Sequence, residues 1–132
     1  MQEQGLGSRV MEFDFVYDFA KHGGAISTIT VGPKLIPAQT VITQGIIRVV
    51  TACTSDGSAT VALHLLSSED ILAATAIASL SLDALVDTVP VGTAATSLIC
   101  TAATQLSVVV ATAALTAGKI AVHLQGYRSI TA

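Results

Sequence analysis

Charge is scarce in this sequence: only 11% of its 132 residues are Asp, Glu, Lys or Arg, against roughly 25% in an ordinary soluble domain. A monomer so composed leaves much Ala, Val, Leu and Thr facing water, whereas a subunit buries such surface against its neighbours. The composition therefore points to an assembly. Basic residues number six (Arg9, Lys21, Lys34, Arg48, Lys119, Arg128), are scattered, and leave a net charge of -3. They form no cluster able to neutralise several phosphates at once, so no nucleic-acid partner is expected. Aromatic residues make up 4% and Trp is absent. Despite a mean hydropathy of +0.71, the chain has no long apolar run. Its least polar stretch, 102–118, contains Thr104, Gln105, Ser107, Thr112 and Thr116 and alternates like a strand, so no membrane span is expected. The N-terminus lacks the basic-then-apolar order of a secretory signal, and the chain is expected to stay where it is made.

Groups that carry chemistry are equally sparse. A nucleophilic triad needs Ser, Cys or Thr near an oriented His, and candidates occur only as isolated residues. No Gly-rich loop runs from a strand into a Lys-Ser/Thr helix start, as phosphate binding requires. His64 and His123 each lie near the middle of a strand, opposite the larger aliphatics; a metal would need a third ligand, which no recognisable spacing supplies. His22, in a Gly-rich turn, is expected to be solvated. Cys53 and Cys100 sit in apolar runs as buried free thiols, with a disulfide as the alternative that spacing leaves open. No enzymatic activity, cofactor or metal is expected.

What the chain does have is rhythm. Short β-type runs such as Val61 to Leu65, Leu106 to Val110 and Ile120 to Leu124 are separated by turns rich in Gly, Asp and Thr. Arg9 to Phe19 alternates, with Phe13, Phe15, Tyr17 and Phe19 on one face and Glu12, Asp14 and Asp18 on the other, as a half-buried strand requires. Lys21 to Gly24 reads as a turn, Ala25 to Val31 as a strand, and Pro33 and Pro37 as the brackets of a loop. Thr40 to Cys53 is a long Ile/Val/Thr run with Gly45 as a bulge or bend. Apolar residues line both of its faces, Val41, Ile47 and Val49 on one and Ile42, Ile46 and Val50 on the other, which implies burial on both sides.

Asp56-Gly57 between two β runs is a hairpin signal. Ser67 to Ala74, with a Ser cap and early acids, resembles a short helix or loop. Thr96 to Thr101 and Gln105 to Leu115 read as strands, and Thr116-Ala117-Gly118 turns the chain into a last strand, Lys119 to Arg128. The expectation is an all-β fold, an antiparallel β-sandwich or jelly roll of seven to nine strands, with hairpins in its second half and at most one short helix. Residues 1–8 are expected to form a flexible arm and 9–132 a single domain.

Three segments, Val16 to Thr30, Thr54 to Val61 and Ala111 to Lys119, resemble small structural proteins of tailed bacteriophages, several of which are similar to capsid decoration, or cement, proteins. The resemblance implies a jelly-roll-like fold, a homotrimer, a major capsid protein as partner and a seat on the exterior of the virion after synthesis in the host cytoplasm. On that reading many modest interfaces clamp neighbouring capsomers and stabilise the head. The residues expected to contact the capsid or other subunits are Arg9, Glu12, Asp14, Asp18, Ile42, Ile46, Arg48 and Val50. Two alternatives are a trimeric fibre or tail-spike domain that binds a receptor or glycan, for which Tyr127 is the one well-placed ring, and a head-completion or tail subunit.

Overall fold

A computed structural model describes residues 10–128. Arg9 and the expected arm, residues 1–8, lie outside the described residues. Nine strands occur in the order β1 Val10–Asp18, β2 Ser27–Ile36, β3 Thr40–Ser55, β4 Thr60–His64, β5 Leu72–Ala76, β6 Leu85–Val91, β7 Leu98–Cys100, β8 Thr104–Ala111 and β9 Leu115–Arg128. One sheet runs β1-β9-β3-β6, with β7 also paired to β3; the other runs β2-β8-β4-β5. Every pairing is antiparallel. With β7 set aside, the eight remaining strands fall in the order 1-8-3-6 on one sheet and 2-7-4-5 on the other. This is the jelly-roll arrangement of two interlocked Greek keys.

Burial follows the pleat. Phe13, Phe15 and Tyr17 of β1 point into the sandwich with Val122 and Leu124 of β9, and face Val61, Leu63, Val108 and Val110 of the second sheet. Asp18 ends β1 by accepting a hydrogen bond from Ala20 N at 3.0 Å, which caps a four-residue helix, α1 (Phe19–His22). The Tyr17 hydroxyl donates to Gly23 O at 2.5 Å, fixing the exit of that turn where Gly23 takes φ +78. His22 is not simply solvated: it is half-buried, stacks on Tyr17 at 5.8 Å and bonds through Nδ1 to the Asp18 backbone.

Several local expectations give way to tertiary pairing. Gly32 and Pro33 lie within β2, not in a loop; β2 is an edge strand with a register shift between Val31 and Ile36, and such edges tolerate a missing N–H. Asp56-Gly57 does not close a hairpin, because β3 and β4 belong to different sheets. Nor does the second half contain hairpins: β8 and β9 also lie in different sheets, and β4 with β5 are the consecutive strands that pair. The acids at 69–70 cap no helix. Instead the Asp70 carboxylate accepts from the N–H groups of Leu65, Leu66 and Ser67 at 2.7, 2.9 and 2.9 Å, holding the β4–β5 turn. β9 starts at Leu115 and runs straight through Thr116-Ala117-Gly118, so the turn falls at residues 112–114, with Thr112 at φ +73.

The long strand β3 departs most from its alternation. Opposite β9 its register skips from Ile42 to Gln44 and again from Val49 to Thr51, so Thr43 and Val50 are extra residues. Opposite β6 the register also breaks across Gly45, where the buried Thr88 hydroxyl lies 3.0 Å from Gly45 O and 2.9 Å from Pro90 O. An inserted residue exchanges the two faces of a strand. Ile42 therefore shares the core with Ile47 and Val49, at 0% exposure, while Ile46 is exposed and Val50 half-buried. The expectation that Ile42 is a surface contact is wrong for this reason.

Cys53 and Cys100 are buried free thiols. Burial pushes the Cys53 thiol up to about 11 and raises that of Cys100, with the Asp70 charge adding to the latter. Tyr17 is raised to about 12, first by burial and then by the neighbouring Cys53 and Asp18 charges. An unfolded Tyr releases its proton near 10, so above that pH the unfolded chain binds fewer protons than the folded one and stability falls until the folded group titrates too. The loss expected from Tyr17 between pH 10 and 12 is about 2–3 kcal/mol. Urea denaturation of wild type and Y17F across that range checks it: the variant's stability should decline less steeply, and equal slopes would remove Tyr17 as the source.

Candidate functional site

The outer face of the β1-β9-β3-β6 sheet brings together most of the residues singled out in the sequence. Register places them in rows across all four strands. Glu12, Gln125, Gln44 and Val91 form one row; Asp14, His123, Ile46 and Asp87 the next; Val16, Ala121, Arg48 and Leu85 the third. Asp18 and Lys119 continue the pattern, with a 4.0 Å approach between carboxylate and ammonium.

Polar side chains are tied to one another across the rows. His123 Nδ1 lies 2.6 Å from Asp14 Oδ1, and its Nε2 is 3.9 Å from Glu12. Gln44 donates to Gln125 at 2.6 Å. Arg48 is paired at 2.9 Å with Asp83, just before β6. Between these pairs stand apolar side chains that no element covers, with Val16, Ile46, Val91 and Leu85 at 43, 45, 55 and 71% exposure. An open depression of about 360 Å³ lies at the middle, lined by Gly45, Ile46, His123, Asp87 and Val91 among others. A broad, shallow face of alternating apolar and internally paired polar groups suits protein contact better than capture of a small molecule, which wants a concave pocket.

Of the expected contact residues, Glu12, Asp14, Ile46 and Arg48 lie on this face, Asp18 at its margin, and Ile42 beneath it in the core. His123, Gln44, Gln125, Asp87, Leu85 and Val91 join them without having been singled out as contacts. The signal for His123 was present, since it sits opposite Ile120, Val122 and Leu124; what was missing was that β9 runs between β1 and β3.

His64 and His123 do not meet, because β4 and β9 lie in different sheets. His64 Nδ1 is buried with no hydrogen-bond partner. No group of three His, Cys, Asp or Glu placed to hold a metal occurs among the described residues, and no helix among them is long and apolar enough to cross a membrane. A second depression, of about 370 Å³, lies beside β7 with Tyr127, Ile99, Thr43 and Ser97 on its walls. It presents a single aromatic ring.

No family model and no curated protein matches this chain. Its fold is shared with solved structures of phage capsids. A chain in the cyanophage Pam1 capsid asymmetric unit matches at a TM-score of 0.67 and 16% identity, over 98% of this chain and 91% of that one. A chain in the capsid of Ralstonia phage GP4 matches at 0.62 and 14%, over 98% and 91%. One in the acidic stable capsid structure of Helicobacter pylori bacteriophage KHP30 matches at 0.63 and 10%, over 92% and 89%. At these identities the likeness shows the jelly-roll-type sandwich as a whole.

Proposed function

We propose that this protein is a non-enzymatic decoration, or cement, subunit of a bacteriophage head, made in the host cytoplasm and seated as a homotrimer on the exterior of a shell built by a major capsid protein. The observation that carries the reading is the wide, open outer face of the β1-β9-β3-β6 sheet, where exposed apolar side chains alternate with mutually paired charged and polar ones, on a fold matched nearly end to end by chains in phage capsid structures. The low charge of the whole chain supports it further, since surface that water tolerates poorly is covered in an assembly.

The mechanism is additive. Each subunit buries a modest area on the shell, and a trimer engages several capsomers at once, so that detachment requires all contacts to break together. A rigid sandwich suits that role, because its face arrives preorganised and little side-chain freedom is lost on docking.

Two measurements test the reading. Light scattering on the purified protein is expected to give one species near three times 13.4 kDa. Incubation with empty shells of the virus that carries the gene is expected to leave the protein in the sedimented fraction and to raise the temperature at which the shells open. Shells that sediment without it, and open at an unchanged temperature, would refute the decoration role.

A further inference from the structure

The four-stranded and five-stranded sheets end in edge strands, and most are blunted or covered: in β6 the Val89 N–H is bonded to Ile71 O at 2.8 Å. β2 carries Pro33 and a register shift, β6 carries Pro90 and a register shift, β5 is five residues long with a shift of its own, and β7 has three residues. These are the devices by which folded proteins keep sheet edges from pairing. β1 has no proline and no register shift, and charge is what guards it, through the exposed carboxylates of Glu12 and Asp14. It pairs with β9 in unbroken register from Val10 to Asp18, contains no proline or lysine, and has β9 as its sole strand partner among the described residues. In an antiparallel ladder alternate residues turn N–H and C=O away from the partner strand, so toward the described residues β1 offers a straight row of donors and acceptors outside any ladder. Only its last N–H, at Asp18, is taken by His22.

We propose that the outer edge of β1 accepts an added strand from another protein, and that this strand carries basic side chains at every second position. The charge on β1 selects the occupant. Glu12 and Asp14 project to one face at 60 and 70% side-chain exposure, with His123 as their shared neighbour, so an incoming strand finds carboxylates on the outer face of the sheet. Opposite charges on adjacent strands attract, and like charges repel. A second copy pairing β1 with β1 sets Glu12 and Asp14 against the same residues, so the occupant is a heterologous segment. Main-chain bonds supply affinity and the alternating side chains supply specificity. The inference deepens the capsid reading by naming the kind of segment a shell protein would offer, and its peptide test does not depend on that reading.

Hydrogen exchange of the full-length protein tests it with three nine-residue peptides: alternating lysine and valine, alternating glutamate and valine, and a scramble of the first with its lysines consecutive. The alternating lysine peptide is expected to slow exchange at residues 10–17 by about tenfold or more, with the scramble and the glutamate peptide leaving it nearly unchanged. In E12K/D14K the preference should invert toward the glutamate peptide, and because both sites are exposed the variant is expected to melt close to wild type. Equal slowing by the scramble, or no slowing by either alternating peptide, would overturn the proposal. Shell binding undiminished in E12K/D14K would overturn the edge as the docking point on capsids while leaving the decoration role standing.

Discussion

Replacing Gly126 with Ala is expected to destabilise the fold by about 4 kcal/mol or more, beyond the usual 1–3 kcal/mol for an extra methyl group in a packed interior. Gly126 lies in β9, flanked by Met11 of β1 and Ile42 of β3. A Cβ there would run into the carbonyl oxygen of Val41, with Val41 C at 2.9 Å and Ile42 Cα at 3.1 Å. These are backbone atoms of a strand held on both sides, so no rotamer change relieves the clash. The close approach accompanies the extra residue at Thr43, which brings the β3 backbone over a position of β9 without a side chain; glycine inside a strand commonly marks such an approach. Gly32→Ala is the control, since there the added carbon meets Gln105 Nε2 at 2.7 Å, the far end of a flexible side chain on the partner of an edge strand. Urea denaturation should show G32A within about 0.5 kcal/mol of wild type, in the range of ordinary surface substitutions, and G126A largely unfolded or strongly shifted. A G126A midpoint near that of wild type would mean that β3 and β9 do not approach as described.

Ile42→Ala is expected to cost about 3–4 kcal/mol, within the range for deleting a large aliphatic side chain from a core. Ile46→Ala, four residues further along the same strand, is expected to cost far less, about 1 kcal/mol or below, because the side chain lies on the exposed face outside the core. Simple alternation puts the two on one face; the bulge at Thr43 puts Ile42 among Ile47, Val49 and Leu124 at full burial and leaves Ile46 in the exposed row beside His123. The same pair separates folding from assembly. I46A is expected to weaken shell binding while melting normally, whereas I42A should lower the melting temperature by roughly 10 °C or more. Similar melting of the two variants would contradict the inward turn of Ile42.

The first strand was legible almost residue by residue, because Phe13, Phe15 and Tyr17 against Glu12 and Asp14 form a two-residue period that one buried and one wet face demand. The candidate face was half legible. Glu12, Asp14, Ile46 and Arg48 followed from that period, but Leu85, Asp87, Val91, Gln44 and Gln125 join them only because β9 inserts between β1 and β3 and β6 closes the other side. Such partners lie far apart in sequence, 109 residues for Asp14 and His123, and no local pattern encodes a pairing at that distance.

Local turn chemistry was an incomplete guide. Asp56-Gly57 carries turn chemistry that permits a hairpin, yet β4 joins the sheet opposite β3, and Ser67 to Asp70 carries cap chemistry that permits a helix, yet the chain takes the loop alternative there and folds β5 back on β4. The Asp70 carboxylate then satisfies three backbone N–H groups of a loop in place of a helix end. By itself the sequence determined the class of fold, the more regular strands such as β1 and the scarcity of charge, because these depend on period and composition alone. Strand order, the bulges in β3 and the position of β1 at the sheet edge were decided by the tertiary structure, since which backbones share hydrogen bonds is a property of long-range packing, and a single extra residue there exchanges core for surface.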